Sequence, residues 1–520
     1  MMTLEEIANA VADVELRSGD PDVEITAVCY DSRQVTPGSL FVALRGESFD
    51  GHDFLDAAVE AGAAAILIER GHACELAIPI LEVGDTRRIL GPLASRFFGE
   101  PSRELTVVGI TGTNGKTSSS HLLESILKQS ELVPGVIGTI EYRWCDKHIS
   151  AANTTPDGLV LQQTLDAMVT DGVDVAVIEV SSHGLENGRV DQTSFDLALF
   201  TNLTRDHVDF HGSMQAYRQA KWRLFKEYLP ASGDVSKTPP VAIINTDGEE
   251  GQKLARALVD RNEVTVASFS IGGEPVDGVE YHFRGLQLDL SLEGIKMVVS
   301  ESSADDFEIS ASMPGRFNAE NMLGVVAAAR MLGIDRDAII GGLASADAVP
   351  GRMQRVEQDL VGPAVFVDYA HSPDALEQVL RTLSPLATGQ LWVIFGCGGD
   401  RDRSKRAPMG QVAVMGADQV VITSDNPRRE DPEQIIDEIV AGIEDCGPRE
   451  GTRAASWRRE IDRRRAIFDA VLQAATQDVI LIAGKGHETT QESNGRRRQF
   501  DDRVVAGQAL RRRGETACDG

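Results

Sequence analysis

Short apolar runs recur along the chain, and most of them end at a glycine, asparagine, aspartate or threonine. Clear examples are residues 175–180, 197–202 and 241–245. Helical stretches separate these runs, and such an alternation is typical of a parallel sheet with helices on both faces. The pattern therefore predicts an α/β fold, with binding sites at the carboxyl ends of its strands.

The pattern divides the chain into three blocks, which we expect to be domains at residues 1–102, 103–347 and 348–520. A polar segment at 346–350 is the predicted linker before the last block. Beyond the runs above, strands are predicted at residues 24–30, 39–44, 65–68, 105–110, 364–368, 391–396, 419–423 and 479–484. Helices are predicted at residues 54–61, 118–129 and 216–228.

The composition excludes several classes of protein. Hydrophobic residues make up 42% of the 520 residues, which is ordinary for a chain with buried cores. No apolar run reaches the roughly 18–20 residues of a membrane span, and the acidic start lacks the features of a secretory signal. The net charge of −29 disfavours nucleic-acid binding, and the six cysteines form no C-x-x-C pair. We expect a cytoplasmic monomer that binds neither nucleic acid nor membranes.

The clearest chemical motif is Gly-Ile-Thr-Gly-Thr-Asn-Gly-Lys-Thr at residues 109–117, between a predicted strand and a predicted helix. This context is typical of a phosphate-binding loop, although the spacing differs from the common G-x4-G-K because Ile110 stands five residues before Gly115. Lys116 would neutralise phosphate charge, and the Thr117 hydroxyl would reach Mg²⁺. The alternative is an ordinary strand–helix turn. The predicted nucleotide-binding residues of the loop are Gly112, Thr113, Asn114, Gly115, Lys116, Thr117 and Ser118.

Three further ionisable residues are candidates for the same site. Glu179 ends a predicted strand and could hold Mg²⁺, and His207, in the loop after another strand, could be a second metal ligand. Lys221 lies on a predicted helix, where it is either a solvated lysine or a lysine carbamate, formed when CO2 adds to the neutral amine. Each residue taken alone is also compatible with a purely structural role.

Motifs spread over nearly the whole chain resemble those of the Mur ligase family. They run in the family's order and cover residues 111–117, 179–184, 201–207, 315–321, 351–352 and 368–373. The resemblance implies a three-domain α/β architecture. Its parts would be a UDP-sugar-binding N-terminal domain, a central P-loop-like ATPase domain and a C-terminal Rossmann-like domain that binds the incoming amino acid.

Within the family, the chain resembles the enzymes of peptidoglycan synthesis that add the third peptide residue. ATP would phosphorylate the γ-carboxylate of D-glutamate in UDP-N-acetylmuramoyl-L-alanyl-D-glutamate, and an amine would capture the acyl phosphate. The resemblance implies catalytic roles for Lys116, Lys221 and Arg352. It implies that Thr117, Glu179, His207 and carbamylated Lys221 form the Mg²⁺ site, and that Asn318, Asp368, His371 and Arg352 contact ATP.

The substrate contacts follow from the same resemblance. Tyr30 and Ser32 belong to a Tyr-Asp-Ser-Arg segment that resembles the family's uridine-binding part. Asn187 occupies a place where the family has glutamine. The remaining residues implied for the muramoyl-dipeptide are Asn153, Thr154, Thr155, Ser181 and Arg189.

The identity of the incoming amino acid depends on Asp-Asn-Pro-Arg at residues 425–428. By itself the segment could be a turn with a surface arginine. In the family it resembles the type that adds meso-diaminopimelate, whose distal carboxylate Arg428 could bind with two parallel hydrogen bonds. Lysine would leave Arg428 unpaired, which can support discrimination of roughly 10⁴. The residues implied for diaminopimelate are Arg401, Asp425, Asn426, Pro427, Arg428, Gly484 and Glu488.

Three other functions remain open at this point. The nearest is the same ligase with lysine as its substrate. A folylpolyglutamate synthetase shares the phosphate loop, but the Tyr-Asp-Ser-Arg and Asp-Asn-Pro-Arg segments disfavour it. A nucleotide-dependent switch that has lost ligation is disfavoured by the presence of Lys116, Glu179, His207 and Lys221.

Overall fold

The computed structural model describes residues 1–46, 49–233, 239–302, 304–356, 362–446, 453 and 456–518. Three large sheets, each with helices, follow one another along these residues, and two further strand pairs lie outside them. No helix in the described part of the chain is long and apolar enough to cross a membrane.

A five-stranded sheet forms the first part of the described chain. Its elements are β1 (Met2–Thr3), α1 (Leu4–Ala10), β2 (Glu15–Ser18), β3 (Glu24–Ile25), β4 (Ala27–Cys29), β5 (Ser39–Val42), α2 (Leu55–Glu60), β6 (Ala65–Glu69), β7 (Ile80–Val83) and α3 (Thr86–Phe97). The sheet order is β2-β7-β6-β5-β4, and all neighbours are parallel except β2 and β7. β1 pairs with β3 outside this sheet.

An eleven-stranded sheet forms the middle of the described chain. Its elements are β8 (Thr106–Thr111), α4 (Lys116–Gln129), β9 (Pro134–Ile137), β10 (Glu141–Trp144), β11 (Lys147–Ser150), α5 (Gly158–Thr170), β12 (Val175–Glu179), α6 (Ser182–Glu186), β13 (Leu197–Phe200), α7 (Val208–His211), α8 (Met214–Arg223), α9 (Leu229–Ala231), β14 (Val241–Asn245), α10 (Glu249–Arg261), β15 (Thr265–Ile271), β16 (Tyr281–Leu290), β17 (Ile295–Glu301), β18 (Ala304–Ala311), α11 (Arg316–Met331) and α12 (Arg336–Ala344). The sheet order is β11-β10-β9-β12-β8-β13-β14-β15-β16-β17-β18. The strands from β9 to β16 in this order are parallel, and antiparallel strands extend both edges.

A six-stranded sheet forms the last part. Its elements are β19 (Gln354–Arg355), β20 (Ala364–Asp368), α13 (Pro373–Leu383), β21 (Leu391–Phe395), α14 (Arg406–Gly416), β22 (Gln419–Ile422), α15 (Pro432–Cys446), β23 (Ser456–Arg459), α16 (Arg463–Gln473), β24 (Val479–Ala483), β25 (Thr490–Ser493), β26 (Arg496–Gln499) and α17 (Asp502–Cys518). The order is β19-β20-β24-β21-β22-β23, with β19 antiparallel. β25 and β26 form a separate hairpin.

The central strands are apolar at successive positions because both faces of the sheet are covered. In β12, Val175 and Val177 point into one hydrophobic core, whereas Ala176 and Ile178 point into the other. Side chains alternate between the faces of a strand, so a strand buried on both faces shows a continuous apolar run. This explains why the sequence signal was strong for the strands that lead to the site.

The middle part packs against both the first part and the last part. Leu159 of α5 belongs to the core of the first sheet, and Phe317 of α11 packs against a core of the last sheet. The carboxyl ends of β8, β12 and β20 consequently lead into connected cavities, which are described below.

The α/β fold and the predicted strands are confirmed, with small differences in their ends. The predicted strand at 24–30 is divided into β3 and β4, and the predicted helix at 54–61 follows a 3₁₀ turn, Gly51–Phe54. The predicted helix at 216–228 is α8 followed by a π-helical turn, Leu224–Tyr228. The strand β16, the antiparallel strands β17 and β18 and the β25–β26 hairpin were not predicted from the sequence. Partly exposed strands such as β18, with several acidic residues, carry a weak apolar signal.

Candidate active site

The predicted phosphate loop joins β8 to α4 near the centre of the large sheet. Gly115 precedes the helix with a φ of +90°, a left-handed conformation that favours glycine. A Cβ atom at Gly115 would clash with Asn321, and one at Gly112 would clash with Thr201. Because only glycine fits at these positions, the loop can pass close to its neighbours and leave the N-terminus of α4 facing a cavity. A helix N-terminus favours phosphate oxygens.

Two amines, one partly and one fully buried, converge on one carbonyl of this loop. Lys116 and Lys221 each donate to the Gly112 oxygen over 2.8 Å, and Lys116 also donates to the Thr113 oxygen over 3.0 Å. Lys221 lies on α8 with its Nζ 4.8 Å from the centre of the Tyr217 ring. Burial lowers the pKa of both amines, and repulsion from Lys116 lowers the pKa of Lys221 further. The environment of Lys221 therefore favours a neutral amine.

The Glu179 carboxylate lies beside the phosphate loop and is held by hydroxyl groups. Thr117 Oγ1 donates to it over 2.9 Å and Thr139 Oγ1 over 2.8 Å, and the Thr139 amide donates over 3.2 Å. The carboxylate is almost completely buried. A hydroxyl and a carboxylate this close together provide the oxygen ligands that Mg²⁺ prefers, so Thr117 and Glu179 fit the predicted metal.

His207, the other side chain predicted to bind metal, lies in the loop after β13. Its ring centre is 4.8 Å from that of His183 and 6.0 Å from that of Tyr217. Within the described ranges, no group of three or more His, Cys, Asp or Glu side chains converges as a metal site. The structure thus pairs Thr117 with Glu179, whereas His207 lines the same cavity without joining them in a cluster.

A cavity of about 430 Å³ extends from the phosphate loop to the last sheet. Arg352 lines it, with its guanidinium carbon 4.6 Å from the centre of the Tyr369 ring. Arg352 Nε is buried and has no protein acceptor among the described residues. Asp368 accepts from the backbone N–H of Met353 over 2.7 Å and of Ala370 over 2.8 Å. Burial raises the pKa of Asp368, against the opposing effect of Arg352.

Of the remaining residues predicted to contact ATP, one lines this cavity and one does not. His371 lines it, and its Nδ1 lies 2.8 Å from the Tyr369 carbonyl oxygen. Asn318 is buried in the first turn of α11 and donates to the Pro314 oxygen over 2.8 Å. Asn321, one turn later on the same helix, lies beside Gly115 and lines the cavity. Helical periodicity within the Gly-Arg-Phe-Asn-Ala-Glu-Asn motif could have identified Asn321, which the sequence analysis did not single out.

A second cavity, of about 590 Å³, lies between the first sheet and the middle of the chain. The Tyr30 hydroxyl donates to Asp157 across this junction over 2.8 Å. An apolar wall with a few polar groups is typical of a site for a large organic ligand. The residues predicted for the UDP-linked substrate that line it are Tyr30, Ser32, Asn153, Asn187 and Arg189.

The other three residues predicted for that substrate lie towards the phosphate loop. Thr154 and Ser181 line the phosphate-loop cavity. Thr155 is buried behind them: its hydroxyl donates to the Glu179 carbonyl oxygen over 2.8 Å, and its carbonyl accepts from Arg189 over 2.8 Å. Thr155 therefore orients Arg189 from behind the cavity wall.

A third cavity, of about 960 Å³, lies at the carboxyl ends of β21, β22 and β24. Arg428 Nη1 donates to the Gly399 oxygen over 2.6 Å. Pro427 is buried and is not part of the wall. Burial raises the pKa of Asp425. The residues predicted for diaminopimelate that line this cavity are Arg401, Asp425, Asn426, Arg428, Gly484 and Glu488.

Hydrogen bonds from the β25 strand hold the Asp-Asn-Pro-Arg segment in place. This contact was not predicted from the sequence. Gln491 donates to the Asp425 oxygen over 2.6 Å, and the Glu492 amide donates to Asn426 Oδ1 over 3.0 Å. The Arg428 amide donates to the Glu492 oxygen over 3.1 Å. Lys485, fully buried, also contacts this segment.

The three cavities adjoin one another. Asn153 and Arg189 line both the second cavity and the phosphate-loop cavity. Asp206, Tyr369 and His371 are among the residues that line both the phosphate-loop cavity and the third cavity. The structure therefore offers one continuous series of sites, with the phosphate loop in the middle.

Family profiles match most of the chain. The profile described as "Mur ligase family, catalytic domain" matches residues 24–98, and "Mur ligase middle domain" matches residues 110–329. The profile "Mur ligase, glutamate ligase domain" matches residues 351–486.

Similar proteins of related length carry one name, UDP-N-acetylmuramoyl-L-alanyl-D-glutamate–2,6-diaminopimelate ligase. The protein of that name from Geobacter metallireducens is 41% identical over 519 residues, with 98% of each chain covered. Its namesake from Gloeobacter violaceus is 42% identical over 498 residues, with 95% of each chain covered. A solved structure of the same name is 33% identical with a TM-score of 0.67, covering 98% of this chain and 99% of that one. The chain therefore belongs to the Mur ligase family.

Proposed function

We propose that this protein is an ATP-dependent amide-forming ligase that adds meso-diaminopimelate to UDP-N-acetylmuramoyl-L-alanyl-D-glutamate in peptidoglycan synthesis. The observation that carries the proposal is the series of three adjoining cavities. One is lined by residues predicted for the UDP-linked substrate, the middle one is lined by the phosphate loop, and the third is lined by arginines and carboxylates. The names of full-length relatives at about 40% identity support the same reaction.

In the proposed first step, the γ-carboxylate of D-glutamate attacks the γ-phosphorus of ATP. A P–O bond to the acyl oxygen forms, the bond to the β-phosphate bridging oxygen breaks, and ADP leaves. Transfer between two anions requires alignment and charge neutralisation. We assign both tasks to Lys116 in the loop and to Arg352, which lines the same cavity.

Thr117 and Glu179 would hold Mg²⁺, with His207 at a second metal position. When bound, the ion would neutralise phosphate charge. Carbamylated Lys221 would position this metal site. The lowered pKa of Lys221 supports that assignment because CO2 adds to the neutral amine.

We propose that Asp368 and His371 contact the ribose or the phosphates of ATP. We also propose that the Asn318–Asn321 turn of α11 contacts ATP on its adenine side.

In the proposed second step, the amine of diaminopimelate attacks the acyl carbon. A C–N bond forms, the bond to the phosphate oxygen breaks, phosphate leaves and the amine proton passes to solvent. Arg428 would bind the distal carboxylate, and Arg401 would be a further carboxylate contact. Asp425, Asn426 and Glu488 would bind the polar groups of the same ligand, beside Gly484, while Pro427 shapes the segment from behind.

The proposed division of labour gives UDP-sugar binding to residues 1–102, ATP binding to 103–347 and amino-acid binding to 348–520. The three sheets fall within these ranges, and residues 346–350 contain no helix or strand. We also propose the cytoplasm as the location, since ATP and the UDP-linked substrate are cytoplasmic compounds.

The test is a competition reaction. The purified protein receives ATP, Mg²⁺, UDP-N-acetylmuramoyl-L-alanyl-D-glutamate and equal amounts of meso-diaminopimelate and L-lysine, and the products are analysed by mass spectrometry. We expect the diaminopimelate tripeptide as the main product, with one ADP released for each peptide bond.

Two other outcomes would contradict the proposal. A lysine product would indicate the lysine-adding ligase and would remove the proposed role of Arg428. ADP release that is indifferent to both substrates would indicate a nucleotide-dependent switch.

A further inference from the structure

Lys485 lines none of the three cavities, but it lies among the polar groups that surround the third cavity. Lys485 is fully buried in the loop after β24. Its Nζ lies 2.8 Å from Glu488 Oε2, 3.2 Å from Asn426 Oδ1 and 2.7 Å from the Thr490 carbonyl oxygen. Lys485 thus joins its own loop, which carries Glu488 and leads into β25, to the distant Asp-Asn-Pro-Arg segment.

We propose that Lys485 is a positioning residue that fixes Asn426 and Glu488 in the orientation that binds the distal ammonium group of the incoming amino acid. The proposal rests on the function proposed above, because it concerns the amino-acid site of that reaction. An ammonium group has three N–H donors, and Lys485 has three acceptors within hydrogen-bond distance. With its donors used in this way, Lys485 acts through its neighbours and does not contact the ligand.

The hydrogen bonds distinguish the two oxygens of the Glu488 carboxylate. Oε2 accepts from Lys485 over 2.8 Å and from Asn426 Nδ2 over 2.7 Å. Oε1 accepts from no protein group in the part of the chain that the structure describes, and Glu488 lines the third cavity. One oxygen is therefore engaged by the protein, and the other is available to accept from an ammonium group.

The same network sets the orientation of the Asn426 amide. Its Oδ1 faces the Lys485 ammonium and the Glu492 amide, and its Nδ2 faces the Glu488 carboxylate. An amide turned by 180° would place its NH2 group against two donors. Lys485 therefore holds Asn426 in one orientation, and Asn426 in turn holds Glu488.

The positive charge of Lys485 also keeps Glu488 ionised. Burial alone would raise the pKa of Glu488, yet the charge and hydrogen bond of Lys485, with the hydrogen bond from Asn426, lower it. His487 lies on the same loop, and Asp425 and Arg463 approach from the neighbouring strand end and from α16. Arg401 and Arg428 line the same cavity. Lys485 is the only cation among these groups with a direct hydrogen bond to Glu488 in the described residues.

The test replaces Lys485 with methionine, which keeps the length of the side chain and removes its charge and donors. The matched control is Lys296→Met, at an exposed position on β17. We expect Lys485→Met to raise the KM for meso-diaminopimelate about 10- to 100-fold, as the loss of a supporting partner does at other sites. The KM values for ATP and the UDP-linked substrate should change less than about 2-fold, and Lys296→Met should match the wild type.

A ligand analogue separates positioning from a general defect. 2-Aminopimelate has both carboxylates of diaminopimelate but lacks the distal amino group. If Lys485 acts through Glu488, the variant should lose about 10-fold or more in affinity for diaminopimelate and less than about 2-fold for 2-aminopimelate. The loss in affinity for diaminopimelate should grow as the pH falls, because the Glu488 carboxylate is expected to take up a proton more readily when Lys485 is absent. Equal losses for both ligands at every pH would overturn the proposal.

Two controls keep the outcome interpretable. If Lys485→Met does not fold, as judged by thermal unfolding, Lys485→Gln removes the charge, keeps donors and should show the same selectivity for ligands with a distal ammonium. In a Glu488→Gln background, Lys485→Met should cause little further loss, since the two effects share one contact. If the wild-type protein does not use diaminopimelate, the proposed function is refuted. If Lys485→Met has normal affinity for diaminopimelate, only this inference is refuted.

Discussion

Arg428 combines a fixed position with donors that remain available. Its backbone is in a left-handed conformation, with a φ of +50°, and pairs with the β25 strand. Among the described residues, its side chain has one protein acceptor, the Gly399 oxygen. Nη2 and Nε are then available to a carboxylate in the third cavity, which is the arrangement that bidentate recognition requires.

We expect Arg428→Ala to raise the KM for diaminopimelate about 100-fold, because removing one partner of a buried charge pair costs roughly 2–5 kcal/mol. The KM for ATP should be unchanged. The adjacent Arg429, exposed and paired with Asp400, gives the control Arg429→Ala, which should behave as the wild type. Initial rates at varied diaminopimelate concentration measure the effect. An equal loss in both variants would show that the surface charge, not the pocket, matters.

His121 on α4 gives a prediction for pH-dependent stability. Its Nε2 is buried without a partner among the described residues, and burial, followed by repulsion from Arg143, lowers its pKa to about 3. Below the ordinary value of 6.5, the unfolded chain binds a proton that the folded chain does not. Stability is therefore lost as the pH falls from about 6.5 towards 3, by about 1.4 kcal/mol for each pH unit.

His121→Gln should consequently lose less stability than the wild type between pH 7.5 and pH 5, by about 2 kcal/mol. Urea unfolding at the two pH values measures the difference in the free energy of unfolding. The exposed His148 provides the control variant His148→Gln, which should follow the wild type. A wild-type-like pH dependence in His121→Gln would contradict the assignment.

At the scale of elements, the junction between α3 and α5 determines how the first sheet meets the middle of the chain. Gly158 begins α5, and a Cβ atom there would approach the backbone of Gly91 in α3. The two helices can lie this close because Gly158 carries no side chain. Asp157 caps α5 and also accepts from the Tyr30 hydroxyl, so the helix junction fixes one wall of the second cavity.

We expect Gly158→Ala to separate α3 from α5 and to raise the KM for the UDP-linked substrate about 5- to 100-fold. This corresponds to the roughly 1–3 kcal/mol that overpacking costs. The KM for diaminopimelate should stay within about 2-fold of the wild type. Gly248→Ala is the control, because nothing lies within 4 Å of a Cβ at Gly248. Steady-state kinetics with each substrate varied in turn tests this. An unchanged KM for the UDP-linked substrate would mean that the junction does not shape its site.

At the scale of the whole molecule, one backbone contact joins the nucleotide and amino-acid sites. Gly351 has a φ of +64°, and a Cβ there would clash with the backbone of Gly486 and His487. Gly351 precedes Arg352 of the phosphate-loop cavity, and Gly486 lies between Lys485 and Glu488 of the third cavity. A shift of the backbone at this contact would therefore alter the nucleotide site and the amino-acid site together.

Gly351→Ala should therefore raise the KM for ATP and for diaminopimelate together, each about 10-fold or more, since backbone strain costs about 1–3 kcal/mol. The KM for the UDP-linked substrate should change little. Gly248→Ala again serves as the control. Kinetics that show a change for only one of the two substrates would contradict a shared contact.

The sequence alone was enough to predict the α/β class, the central strands and the phosphate loop. Strands buried on both faces require continuous apolar runs, and the loop requires glycine at particular positions, so both leave a local signal. It also indicated which side chains would surround the cavities, through motifs that resemble those of the Mur ligases.

The folded structure was needed to show which of these residues lie together. It placed Asn321 rather than Asn318 on the cavity wall, and it placed Thr155 and Pro427 behind the walls. It also brought Lys485 and Glu488, which share one loop, to Asn426 of a distant segment. Contacts between distant segments depend on packing and on backbone geometry. No single stretch of sequence encodes them, because an apolar run or a glycine turn shows what a segment forms and not what lies beside it.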